Sequence, residues 1–169
     1  MPRHSPIDMA VPSRLPIRVP AGRLRFLGAV CVAVAACAGA LAWMFLEWWM
    51  RGKPSVLGMI SGAVAGLGTV TPASGFVMPI HGLIIGLIAG SVCFWACTKL
   101  RLWLGYDDSL DVFGVHGVGG FLGTVLVAIF ASDVFGGNQA GLAIGRQLAI
   151  QLGAAVFAEM VAAGVSALI

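Results

Sequence analysis

The sequence predicts an all-α protein, a polytopic membrane helix bundle of about five transmembrane helices. Three observations carry that prediction. The 169-residue chain is 59% hydrophobic and only 10% charged, and its mean hydropathy is +0.98. A soluble domain of this size cannot hide so much apolar surface. The apolar residues fall in runs of roughly 16–25 residues, which suit helices crossing a hydrocarbon core of about 30 Å and are too long for barrel strands. In lipid only helices and closed barrels satisfy their own backbone groups.

Residues 1–25 stand apart from this pattern. They carry Pro2, Pro6, Pro12, Pro16 and Pro20 together with Arg3, Arg14, Arg18, Arg23 and Arg25. The proline spacing forbids a long helix, so an Arg/Pro-rich, disordered tail is expected, followed by a transmembrane domain over 26–169. The net charge of +3 is not a nucleic-acid signal, because half of the basic residues sit in this tail, which suits contact with anionic lipid. No small-residue cleavage site follows the first apolar run, so the tail does not read as a signal peptide.

The first helix is expected over Phe26–Met50. It ends in Glu47, Trp48, Trp49, Arg51, Lys53 and Pro54, paired indoles followed by cations and a proline stop, as at a membrane interface. Glu47 and Arg51, four residues apart, can pair on the helix surface. A second, short helix runs from Ser55 to about Val70, with Gly58, Gly62 and Gly66 repeating every four residues as a small-residue packing face. The Thr71–Gly75 stretch that ends it suits a vestibule and a plain loop equally. The third helix, Gly82 to about Leu100, is opened by His81, read as an interfacial residue, and closed by Lys99 and Arg101. A fourth helix is expected from about Ser109 to Phe130, a loop over Ala131–Gly145, and a fifth helix from about Arg146 to Ile169. Glu159 lies near the middle of that last helix, where a carboxylate is a functional candidate by position alone. Cys31, Cys37, Cys93 and Cys97 lie in apolar runs and read as small buried hydrophobes. No metal, cofactor or catalytic residue is expected, and the chain does not read as an enzyme.

The stretch DDSLDVFGVHGVGG, Asp107 to Gly120, organises the rest. Asp107, Asp108 and Asp111 precede a long apolar run, where carboxylates answer unpaired helix N–H groups and the positive dipole end. With a helix start near Ser109, His116 stands about two turns inside, roughly 10 Å along the axis. An imidazole there is costly unless it faces a partner or a cavity. Gly114, Gly117, Gly119, Gly120 and Gly123 strip bulk from the helix, allowing close approach or leaving a narrow passage. Without further information, a satisfied interhelical histidine and a pore-lining one both remain open.

This stretch, with FLGTVLVAIFA after it, closely resembles the signature of the ammonium transporter (Amt/Mep/Rh) family. RGKPSVLGMISGAVAGLGTVTPASGFV (Arg51 to Val77) and GLIIGLIAG (Gly82 to Gly90) resemble it too. The likeness runs from about Leu41 to Leu152. It implies a fold similar to helices 7–11 of the family, hence a fragment, with ammonium or ammonia as substrate, lipid around it and a homo-trimer in the full-length assembly. His116 matches the second of the family's paired pore histidines. Val112 matches a pore-lining position, Phe113 lies on a nearby face, and Thr71 matches a residue near the outer vestibule. Asp107, Asp108, Asp111, Gly114 and Gly117 match motif positions with an implied structural role. The resemblance places Arg51/Lys53 and Lys99/Arg101 on the cytoplasmic side of a bacterial inner membrane, whereas charge counting with the five tail arginines favours the reverse. It also implies that the first pore histidine, the aromatic outer site and the phenylalanine gate lie on other helices. Taken alone, then, this part is expected not to conduct. The alternative is a non-transporting membrane remnant or interaction subunit that associates with intact family members.

Overall fold

The computed structural model describes residues 21–105 and 111–166. Helix α1 spans Ala21–Arg51, α2 Val56–Val70, α3 Pro79–Trp95, α4 Arg101–Leu104, α5 Val118–Phe130 and α6 Ile144–Ser166. A wide i→i+5 turn, Ala96–Leu100, joins α3 to α4, and another, Phe113–Gly117, leads into α5. Five stretches are long and apolar enough to cross a membrane: Arg25–Arg51, Val56–Ala73, Pro79–Leu104, Phe113–Phe130 and Ile144–Val165.

Local chemistry sets several boundaries. Helix α1 already includes Ala21, the first described residue and five residues before the expected start, since nothing between Ala21 and Phe26 opposes a helix. Ser55 caps α2: its hydroxyl accepts the Gly58 amide at 3.0 Å. Pro79 occupies the first turn of α3, where its missing N–H is harmless, so that helix begins three residues before Gly82. Its apolar run continues through the wide turn to Leu104, where Gly105, in the left-handed region at φ +66°, closes it.

The core is built on small residues, as the glycine spacing of α2 leads one to expect. Gly58 sits under Glu47 and Trp43, Gly62 against the Gly39 carbonyl and Gly66 against the Ala35 carbonyl, all on α1. A second series, Gly82, Gly86 and Gly90 on α3, meets Cys31, Ala35 and Gly39 of the same helix. One stripe of α1 thus serves two neighbours at backbone contact distance, the geometry by which membrane helices gain packing without a hydrophobic driving force. Helix α5 docks on this three-helix unit through Gly123, which lies on the Thr69 backbone. The central apolar cluster gathers Cys31, Ala35, Val70, Ile85, Leu126 and Val127, and a second one Trp43, Ala65, Cys93, Phe94 and Val115. Trp43 and Phe94 meet edge to face at 5.5 Å. Cys31, Cys93 and Cys97 are buried as expected, but Cys37 is exposed, because it falls outside the α1 stripe.

Glu47 does more than pair with Arg51. Its carboxylate accepts from Arg51 at 3.1 Å and from both the amide and the hydroxyl of Ser55, each at 2.9 Å. It is 4% exposed and joins the end of α1 to the start of α2.

Candidate functional site

The segment around His116 differs from the expected continuous helix. Asp111 adopts φ +54°, which no right-handed helix can pass through. The described helix therefore starts at Val112, and His116 stands about one turn in, roughly 6 Å at 1.5 Å per residue. Ser109, Asp107 and Asp108 lie outside the described residues. The Asp111 carbonyl accepts the Val115 amide at 2.9 Å, and its carboxylate lies 3.5 Å from the Arg101 guanidinium at the end of the third span. That ion pair fixes where the fourth span begins relative to the third.

The next turn is the wide one. The Val118 amide donates to the Phe113 carbonyl, an i→i+5 closure that inserts one residue and is frequent at functional sites. Its inner side is packed. Gly114 receives the Cys97 side chain so closely that no Cβ could fit, and Val115 is buried in the second cluster. Its outer side is more open: Val112 is 53% and Phe113 46% exposed, and His116 is exposed beside them. His116 is therefore not buried in this chain, contrary to the depth argument. The packing demand of the turn is met by Gly114 and Val115 on its inner side. Gly117 lies half-buried on the Phe113 ring, where an added Cβ would stand 3.0 Å from the ring edge. It thereby keeps that ring down along the turn.

Thr71 is placed elsewhere. It opens the 3-10 turn Thr71–Ala73 at the end of α2, with its hydroxyl donating to the Leu67 carbonyl at 2.7 Å. Pro72 next to it shares a groove with Val127, eleven residues beyond His116. Thr71 and His116 therefore mark two levels of the bundle, separated by about 10 Å or more along α5.

Two groups escaped the sequence reading or were left open by it. Thr69 is fully buried, its hydroxyl oxygen has no hydrogen-bond partner among the described residues, and Gly119 faces it. Nothing in the sequence distinguishes it from other threonines. Glu159 borders a groove of about 300 Å³ with Phe113, Gly117, Val118 and Phe121. It thus stands over the same wide turn, on the helix that leaves the described unit most exposed.

Five apolar spans, four of them meeting at backbone distance through glycines, define a polytopic integral membrane protein. Its sequence matches the profile of the Ammonium Transporter Family over residues 18–169, and the chain belongs to that family. It is 50% identical over 107 residues to an ammonium transporter of Bacillus subtilis, covering 63% of this chain and 26% of that protein. It is 48% identical over 121 residues to an ammonium transporter of Aquifex aeolicus, covering 70% and 28%. Among solved structures it is similar to Saccharomyces cerevisiae Mep2, with a TM-score of 0.68 and 34% identity over 79% of this chain and 32% of that one. Candida albicans Mep2 gives a TM-score of 0.70 and 33% identity. The chain thus spans between a quarter and a third of the length of these relatives.

Proposed function

We propose that the chain supplies one side of an ammonia-conducting path, with His116, Val112 and Phe113 as its lining and Thr71 near its outer mouth. The observation that carries this reading is the exposure of the His116 imidazole on the outer side of the wide turn, next to the apolar Val112 and Phe113 side chains and away from the chain's own core. Moving an ammonium ion intact through hydrocarbon is opposed by several kcal/mol or more of desolvation. An apolar passage favours the neutral molecule, and an imidazole can hydrogen-bond to it or hand on the proton it leaves behind. Asp111, Gly114 and Gly117 have structural parts in this reading: the first anchors the turn to Arg101, and the glycines admit Cys97 and Phe113. The other wall is supplied by segments that the longer relatives contain. The complete assembly is a trimer in the bacterial inner membrane, and this chain alone is inactive.

Fusion tests the reading. Joined behind the N-terminal part of the Bacillus subtilis relative, the chain is expected to restore ammonium-dependent growth to cells lacking their own transporters. Alone in liposomes, it is expected to give no ammonium-driven current or internal pH change above empty vesicles. A fusion that inserts and assembles yet never transports, with the chain co-purifying with intact relatives, would favour the interaction-subunit reading. Orientation gives a second expected result. A cysteine at Val134 reacts with impermeant thiol reagents from outside the cell and one at Lys53 does not. The reverse pattern means that the tail arginines set the topology.

A further inference from the structure

His81 takes no part in the face described above. It lies in the first turn of α3, 7% exposed, with both ring nitrogens engaged. The Met78 amide donates to Nδ1 at 3.1 Å, and Nε2 lies 2.7 Å from the Phe135 carbonyl oxygen. A donor facing Nδ1 and an acceptor facing Nε2 together require the neutral ring protonated on Nε2. The ring therefore does two things at once. It satisfies an amide at the start of α3 that the helix's own ladder cannot use, and it ties α3 to a segment 54 residues further along.

That segment is folded to receive it. The Ser132 hydroxyl accepts the Val134 amide at 3.3 Å, and Gly136 turns the chain at φ +82° directly against the imidazole. Phe130 flanks the ring at 5.5 Å and meets Phe135 edge to face. Two further tethers reach the turn before α3: the Asn138 side chain donates to the Gly75 carbonyl at 3.0 Å, and its amide to Phe76 at 3.1 Å. His81 is the member of this set whose side-chain contacts on both ring nitrogens depend on its protonation state.

We propose that His81 is a pH-sensitive latch that holds the 133–139 loop over the 71–78 turn when neutral and releases it when protonated. A proton taken from the aqueous phase onto Nδ1 removes the lone pair that accepts the Met78 amide and sets two donors face to face. The imidazolium turns out towards water, and the Phe135 carbonyl loses its donor. The charged groups around this site are few. Asp133, exposed, is on the loop itself. Arg23 and Arg25 lie on α1, about two turns before the Cys31 that packs on Gly82. The 71–78 turn, α3 and α5 carry none. Asp133 alone could draw the charged ring outwards, so its contribution must be separated. The latch concerns the loop rather than the His116 face, and it stands whether or not the chain forms part of a transport path.

Amide hydrogen exchange on the full chain in lipid nanodiscs tests this, read over 134–139 at about pH 7.5 and about pH 5.5 and corrected for intrinsic rates. In the wild type, protection is expected to fall by about tenfold or more on acidification. His81→Gln keeps an N–H for Phe135 but cannot gain charge, so its protection should not change with pH. His81→Ala should be unprotected at both pH values, and Asp133→Asn should retain the wild-type fall. The proposal is overturned if wild-type protection is the same at both pH values. A fall that persists in His81→Gln, or one that disappears in Asp133→Asn, overturns it as well. The ring 15N spectrum, readable because the chain has three histidines, should show the Nε2–H tautomer at neutral pH; an Nδ1–H ring refutes the latch. If His81→Ala does not fold, His81→Gln and the ring spectrum still decide.

Discussion

Leucine at Gly66 is expected to part α2 from α1 and to destabilise the chain by about 3–5 kcal/mol, a large part of the margin that a domain possesses. An added Cβ at this position overlaps the Ala35 carbonyl oxygen and lies 3.3 Å from the Ala36 Cα. These are backbone atoms, which cannot turn aside as a side chain can. The two helices must separate, and the Gly58 and Gly62 contacts along the same seam open with them. Gly68, two residues on, has nothing within 4 Å of a built Cβ. Gly68→Leu meets no such obstacle and should therefore stay within about 1 kcal/mol of the wild type. Reversible unfolding in mixed micelles measures both. Equal stability of the two variants would show that the seam does not hold α1 to α2.

The second large effect concerns transport. In an active fusion, His116→Ala should lower ammonium flux by about tenfold to a hundredfold, the range over which positioned proton-transfer groups act, while insertion and assembly stay intact. Because another wall faces this position in the fusion, insertion and assembly are measured alongside flux, which separates lost transport from misfolding. His116→Glu sharpens the result. It keeps a polar group but introduces negative charge, which favours a cation over neutral ammonia, so current should rise relative to substrate taken up. Unchanged flux and selectivity in both variants would remove His116 from the path.

Much of the architecture was legible in the sequence. Run length and hydropathy carried the five spans, and the four-residue glycine spacing of α2 carried its packing face, because both follow from helix geometry alone. The charged boundary residues gave the Glu47–Arg51 pair but not the Ser55 contacts, which depend on how tightly the α1–α2 link folds back. The start of the fourth span was misplaced. Nothing in an aspartate announces a left-handed backbone, and acidic residues at a helix start support an early beginning as readily as a late one. The wide turns were invisible for a related reason, since an i→i+5 closure leaves composition unchanged and only shifts the register. His81 was read as an interfacial residue. Its burial is decided by a loop some fifty residues away, and no local pattern encodes that. His116 and its neighbours could be singled out only by resemblance, since periodicity cannot separate a side chain facing a passage from one facing lipid.

The way α1 is shared between α2 and α3 bears on biosynthesis. A chain threaded into a bilayer from its N-terminus can form only those contacts whose two partners have already emerged. The Cys31–Ala35–Gly39 stripe meets all of its glycine partners between Gly62 and Gly90. The three-helix unit can therefore close once the third span has left the ribosome, before the segment bearing His116 has emerged. Each later span meets a finished surface rather than a partner still in transit: α5 docks through Gly119 and Gly123, and α6 packs chiefly on α5. The order of the helices along the chain is thus also an order in which they can be assembled.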